Sequence, residues 1–574
     1  MSLSWLSGLA RWYPIRRLLG WPIRRQLAAF DNAARDPRGV QEEVLRRILA
    51  AQANTGFGRD HGFGSIRTRE DFRRQVGVLR YEDHEPYIAR VRKGETNALL
   101  AEKTVYMFAM TSGTTASRKY IPVTPQYLAD YRRAWNMWGV RAWQKHPEMR
   151  LRPIVQLAGE WDEFRTEAGI PCGALTGLTA HMQKRIVQWL YCFPPIAGKV
   201  KDAHAKYYVA LRLGLPRKVG MLVAANPSTL LSLARTGDRE KESLLRDLHN
   251  GTLSNTIDLP ADVRAAITAR LKPLPERARE LSTIAEKSGT LYPKDYWDPR
   301  RLLIGTWTGG SMGAYLRQFP HYFGAAPIRD VGLVASEGRM TIPFDDHTPS
   351  GALDIRSHYF EFIPEGEIDR PQPTVLSSYE LEVGKKYFIL LTTAYGLYRY
   401  NIHDLVQVTG FHEQTPLVEF LSKGSHFSNI TGEKLSEYQV TKAMTDLCQS
   451  FDLNLNSYTV APCWDDERPG YGLFVEEAEL RDADQGRQLA EALDRRLMAD
   501  NTEYAAKRDS QRLDELRVQL LPAGALQRWD RQRLERSGGT LEQYKHPCLV
   551  NDLKFRESLS SVNGTVRTEA TSLK

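Results

Sequence analysis

The chain has 574 residues, 42% of them hydrophobic and 26% charged, with 78 basic against 69 acidic side chains and a formal charge of +9. This is an ordinary globular composition, long enough for several apolar cores and, as a soft prior, roughly three to five domain-sized units. Five scattered cysteines (Cys172, Cys192, Cys448, Cys463 and Cys548) form no C-x-x-C pair, which argues against structural zinc or a disulfide framework and points to the cytoplasm.

The modest basic excess suits nucleotides, acidic ligands or anionic lipid, and equally a surface that is merely solvated. No basic run is interleaved with aromatics, so nucleic acid is not an expected partner.

At the front, MSLSWLSGLARWYPIRRLLGWPIRRQL has its apolar stretches broken by Arg11, Arg16, Arg17, Arg24 and Arg25. None can span a bilayer, and no cleavage site follows. The segment either packs on its own domain or makes peripheral contact with an anionic membrane surface.

Asp36 to Gly56 predicts one helix, with Asp36 as N-cap and Pro37 at its first position. Val40, Val44, Ile48 and Ala51 would form its buried stripe, and Gly56 its stop. A second helix is predicted from Pro125 to Lys145, with Tyr127, Tyr131, Trp135, Trp138 and Ala142 as core or as the wall of a pocket.

The runs PIVQLAG, VGMLVAAN, RLLIGTWTGG, DVGLVASEG and KYFILLTTAYG read as buried strands that end in turn residues. Helical stretches alternate with them (184–190, 227–234, 261–271), which predicts an α/β fold with at least one largely parallel sheet.

After residue 424 the pattern changes. A helix near 436–448, strand runs at 456–461 and 471–477, a charged helix at 483–498 and a strand at 516–521 read as a compact α+β unit. The expected division is a large N-terminal unit over 1–424, a smaller C-terminal unit over 425–560 and a disordered tail over 561–574.

The chemistry-bearing stretch is YMFAMTSGTTASRKYIPVT, residues 106–124. Gly allows close backbone approach, hydroxyls and N–H groups donate, and Lys119 adds charge, so this turn could wrap phosphates. The Walker spacing is absent, and alone the stretch reads better as a structural turn.

Downstream, Ser336 and Glu337 offer a hydroxyl and a carboxylate. Glu337 is either a Mg²⁺ ligand or a salt-bridged side chain. In YGLYRYNIHDLVQVTGF, Asp404 either binds ribose hydroxyls or caps a turn. SNITGEKLSE places flexible Gly432 and then Lys434 at the suspected boundary, and GTLEQYKHPC carries Lys545 on a turn.

In this order, and with VQEEVLRRILAAQANTGFGRDHGF and YEDHEPYIARVRKGETN near the front, these stretches resemble the auxin-responsive acyl-acid amido synthetase family. That family comprises plant hormone-conjugating enzymes and bacterial relatives within the acyl-adenylate-forming superfamily. The resemblance covers nearly the whole chain.

It implies a phosphate-binding turn at Ser112, Gly113, Thr114 and Thr115 closed by Lys119, Ser336 at the α-phosphate, Mg²⁺ on Glu337 and ribose on Asp404. Lys434 and Lys545 would be catalytic lysines on a smaller domain that swings between half-reactions. The implied activity uses ATP and Mg²⁺ to turn a carboxylic acid into an acyl-AMP, releasing pyrophosphate, and then passes the acyl group to an amine, an amino acid by resemblance.

The chain departs from the family at Ala116, Arg118, Leu333 (where an adenine-stacking aromatic is expected), Asn401 and His403 (where Y-R-Y-R-x-G-D is common). A thiol acceptor, or a degenerate nucleotide-binding protein without activity, therefore remain alternatives. No Ser–His–Asp or Cys–His set is recognisable, in keeping with chemistry that needs no covalent enzyme nucleophile.

Overall fold

The first expected helix forms, but packing redraws its limits. In the computed structural model, Asp36 caps the helix Pro37–Gln52 by accepting from Gly39 N at 3.0 Å. The structure describes residues 21–111, 119–368, 370–423, 427–428, 430–431, 433, 435–464, 468–509, 513–537, 544–563 and 567–568.

Gly56 does not end that helix. Thr55 accepts from Gly58 N and starts a separate short helix, Gly56–Asp60, so the first one closes at Gln52. The buried face also differs from the expected stripe. Val44 and Ile48 are buried, Val40 is half-buried and Ala51 is exposed.

Pro37, Leu45, Leu49 and two glutamines complete that face. Gln41 donates to the carbonyls of Ile355 and His358, both at 2.7 Å, and accepts from Phe360 N at 2.8 Å. Gln52 donates to Ala394 O at 2.7 Å and accepts from Ala101 N at 2.8 Å. Buried amides are tolerated because each finds partners of both kinds.

Among the described residues the strands form six sheets. One is wholly parallel, in the order Ile154–Gln156, Met221–Val223, Leu303–Gly305 and Ile328–Arg329, with helices such as Pro227–Arg239 between its strands. This is the expected α/β unit.

KYFILLTT goes elsewhere. Lys386–Thr392 is a strand of a seven-stranded antiparallel sheet whose longest member is Tyr400–His412. DVGLVASEG is not a buried sheet strand either: Val334–Ala335 pairs only with Gly338–Arg339, as a two-stranded hairpin.

A buried charge cluster ties the front of the chain to this antiparallel sheet. Glu361 is 1% exposed and accepts from Arg73 Nε and Arg399 Nε, both at 2.8 Å. Arg399 also donates to the carbonyls of Arg73 (3.2 Å) and Val76 (2.6 Å).

The helix Pro125–Lys145 forms as expected, capped by Thr124. Tyr127, Tyr131, Trp138 and Ala142 are buried and Trp135 is half-buried. No helix of the described residues is long and apolar enough to cross a membrane. Residues 1–20, which carry most of the basic leader, lie outside the described residues.

Toward the C-terminus, Ser436 and Gln439 form a capping box at the helix Glu437–Ser450. A sheet of Thr459–Cys463, Gly470–Glu476, Arg517–Leu521 and Arg567–Thr568 packs against it and against Ala483–Asp500, around its own apolar core. Elements continue past residue 560. The helix Phe555–Asn563 crosses it, and Arg567–Thr568 pairs with the neighbouring strand.

Candidate active site

Ser336 and Glu337 form the two-residue tip of the hairpin, because Ala335 pairs directly with Gly338. Gly338 sits at φ +152°, and a Cβ there would lie 2.8 Å from Tyr395 Oη. Only glycine lets the backbone come that close. Tyr127, on the long aromatic helix, donates to Ser336 O at 2.9 Å and fixes the tip from below.

Glu337 is 6% exposed, and among the described residues it has no ion-pair partner. Tyr400 Oη donates to its Oε1 at 3.4 Å, and Lys119 Nζ donates to Tyr400 Oη at 3.3 Å. Lys119 also stands 5.4 Å from the centre of the Tyr81 ring.

Burial, with the carboxylates of Glu337 and Asp404 nearby, pushes the Tyr400 hydroxyl well above its ordinary range. Tyr400 therefore stays a neutral donor. Lys119, Tyr400 and Glu337 form one hydrogen-bonded line, and Asp404 is 3% exposed on the same strand as Tyr400.

A buried carboxylate with no cation of its own suits a single Mg²⁺ ligand, since Mg²⁺ usually takes one or two carboxylates and fills its shell with water and phosphate oxygens. The described residues contain no group of three or more potential metal ligands.

The departures at Asn401 and His403 compensate each other. His403 has φ +59°, the left-handed conformation that glycine adopts freely. Asn401 Oδ1 accepts from His403 N at 2.9 Å, a local bond that braces this bend in the strand. Asn401→Ala should lower stability by about 1–2 kcal/mol. Adding His403→Gly should recover part of that loss, because glycine holds the bend without the brace. Urea unfolding of the two single variants and the double variant measures the coupling; strictly additive effects would contradict it.

A second set of bonds shapes the ends of the parallel strands. Asp330 accepts from Thr308 N at 2.6 Å, Thr308 Oγ1 at 2.8 Å and Gly332 N at 2.6 Å. Burial pushes its carboxyl up to about 6, against the pull of these donors. Trp307 Nε1 donates to Gly332 O at 3.0 Å, so its indole stands beside the turn that carries half-buried Leu333.

Lys545 reaches this place from the C-terminal part. Its Nζ lies 4.2 Å from the Trp307 ring centre and 4.8 Å from that of Phe420. Both distances are within cation–π range. Asn226 Nδ2 donates to the carbonyl of the preceding residue, Tyr544.

The structure thus brings Lys119, Ser336, Glu337 and Asp404 into one neighbourhood and sets Lys545 against Trp307 and Phe420. Ser112, Gly113, Thr114, Thr115, Ala116, Arg118, Gly432 and Lys434 lie outside the described residues. The strands Met107–Thr111 and Lys119–Val123 pair with Thr111 opposite Lys119, on either side of residues 112–118. Sequence reasoning missed Tyr400, Asp330 and Trp307, and gave Tyr127 only as core or pocket wall. Tyr400 and Asp330 lie four and six residues from the expected ligands Asp404 and Ser336, whereas Trp307 is marked only by its place at the end of an apolar run.

The fold defines the class. It matches a solved GH3.15 acyl acid amido synthetase with a TM-score of 0.82, at 21% identity over 95% of this chain and 97% of that one. It also matches a 2-hydroxyisobutyryl-CoA ligase in complex with R3-HIB-AMP, with a TM-score of 0.53 and 12% identity over 91% of each. The architecture is the fold that these two solved structures share.

Models of the GH3 family N-terminal, central and C-terminal domains match residues 26–328, 351–423 and 438–554. The chain belongs to the GH3 family. Among its relatives are the jasmonoyl–L-amino acid synthetase JAR6 of Nicotiana attenuata, 26% identical across 72% of this chain and 74% of that protein. Another is the probable indole-3-acetic acid-amido synthetase GH3.12 of Oryza sativa subsp. japonica, 27% identical across 91% and 93%.

Proposed function

We propose that this chain is an ATP-dependent acyl-acid amido synthetase. The observation that carries the reading is buried Glu337, without an ion-pair partner among the described residues and linked through Tyr400 to Lys119, in a member of the GH3 family. The 112–115 turn and Lys119 hold the phosphates, Ser336 meets the α-phosphate and Asp404 holds the ribose. Mg²⁺ bound at Glu337 would neutralise charge on the phosphate oxygens.

A carboxylate is a poor electrophile until it is activated. One of its oxygens attacks the α-phosphorus, the bond to the bridging oxygen breaks, and pyrophosphate leaves. An amine nitrogen then attacks the acyl carbon, the bond to AMP breaks, and the nitrogen loses a proton, leaving an amide. No side chain needs to become acylated. Burial also makes Cys172 and Cys192 poor nucleophiles, pushing their thiols up to about 11.

The working division is a nucleotide-binding unit over 1–424 and a smaller unit over 425–560, which presents Lys545 and Lys434 in turn as it rotates about the segment near Gly432.

ATP–pyrophosphate exchange across a panel of carboxylic acids tests the reading. The panel starts with jasmonate, indole-3-acetate and 2,4-DB, the acids in the names of relatives and of one solved complex. Mass spectrometry of products formed with amino acids, and separately with coenzyme A, follows. Exchange with amide product supports the synthetase. Thioester product instead would make it a thiol ligase, and no exchange with any acid would leave a nucleotide-binding protein without this activity.

A further inference from the structure

One carboxylate holds both residues that flank Lys545. Asp530, on the helix Ala525–Ser537, accepts from Tyr544 Oη at 2.6 Å, and each of its oxygens lies 2.9 Å from His546 Nδ1. The other ring nitrogen, His546 Nε2, is 2.9 Å from Thr459 Oγ1 and 3.2 Å from Tyr458 O. The Thr459 hydroxyl donates to Pro547 O at 3.0 Å, which leaves its oxygen to accept from Nε2.

Residues 544–547 form neither helix nor strand, so no backbone ladder sets their direction. The side chains set it instead. With Tyr544 and His546 both turned to Asp530, Lys545 is turned away from it, toward Trp307 and Phe420. His546 is 7% exposed and bonded on both sides, so the loop cannot rotate without breaking buried hydrogen bonds.

From this arrangement we propose that Asp530 is a positioning residue for Lys545: by gripping Tyr544 and His546 together, it aims the Lys545 ammonium into the Trp307–Phe420 slot. The proposal rests on the reading that Lys545 serves the adenylation half-reaction. Asp530 itself touches no substrate.

The test uses the full chain and two readouts. The first is acylation of Lys545 by a water-soluble N-hydroxysuccinimide ester, followed by peptide mass spectrometry and referenced to exposed Lys103. Asp530→Ala should raise the rate at Lys545 by about five- to tenfold with Lys103 unchanged, because a local opening exposes only its own segment. Asp530→Asn keeps the side-chain volume and one acceptor. It should move the rate the same way by less, and it serves if the alanine variant does not fold.

The second readout is acid-dependent pyrophosphate exchange in Asp530→Ala, Lys545→Ala and the double variant. Asp530→Ala should lower the kcat of exchange by about tenfold or more with little change in the KM for ATP, and the double variant should be no slower than Lys545→Ala, the non-additivity expected of two residues that act as one unit.

Unchanged Lys545 reactivity in both Asp530 variants overturns the proposal, as do losses that multiply in the double variant. If reactivity rises while Lys545→Ala leaves exchange intact, Asp530 positions Lys545 as proposed and it is the catalytic reading of Lys545 that fails.

Discussion

Glu337→Gln should lower acid-dependent pyrophosphate exchange by about 10²–10³-fold and raise the Mg²⁺ concentration needed for half-maximal rate. The substitution keeps the shape of the hairpin tip and one oxygen that can accept from Tyr400, but removes the charge that would hold the cation. Because no described cation pairs with Glu337, no ion pair is broken to confuse the result. Stability should hold or rise slightly, since a buried charge is replaced by a neutral amide. A folded Gln variant with parental rate and Mg²⁺ dependence would leave Glu337 as a structural residue only.

The largest effect on stability is expected at Glu361. Glu361→Ala strands two guanidinium groups, one of them on Arg399, which is 3% exposed. Removing one partner of a buried ionic cluster typically costs about 3–5 kcal/mol, because the remaining charge has no compensation. Arg399 immediately precedes Tyr400 and has φ +43°, so its anchorage fixes the direction from which Tyr400 enters the site. Denaturant unfolding should show the loss, and exchange activity should fall with it even below the unfolding transition. A loss under about 1 kcal/mol would mean that the two arginines find water or other acceptors without strain.

These two residues mark what the sequence displayed and what it hid. Glu337 was legible because Ser-Glu-Gly after an apolar run is unusual chemistry in a simple turn, and because several such stretches recur in family order. Glu361 was hidden: it sits in a strand between Phe360 and Phe362, and nothing local says that arginines 288 residues upstream and 38 downstream converge on it.

Tyr400 was hidden for another reason, and Tyr127 was legible only as core or pocket wall. An aromatic residue at an apolar position reads as core, and both are buried; only their hydroxyls serve the site. Gln41 and Gln52 escaped a periodicity argument because it counts apolar residues, and their burial depends on carbonyls supplied from far away.

The alternation of strands and helices correctly indicated a parallel sheet. It could not separate that sheet from the antiparallel one, since a fully buried strand such as Lys386–Thr392 is apolar on both faces in either setting. The glycine expected to stop the first helix was overruled by Thr55, whose hydroxyl began another helix one residue earlier.

The partners of Gln41 and Gln52 also set a schedule for the newborn chain. Gln52 waits for Ala394, 342 residues later, and Gln41 for residues 314 and 317 positions away. At ribosomal speeds of about 5–20 residues per second, the front helix spends some tens of seconds without the sheet that completes its buried face. Its amides meanwhile must be satisfied by water, and its leucines and isoleucine stay available to chaperones. A chain interrupted after residue 329, one past the end of the first family region, should therefore remain protease-sensitive at its front even though the parallel sheet is fully synthesised.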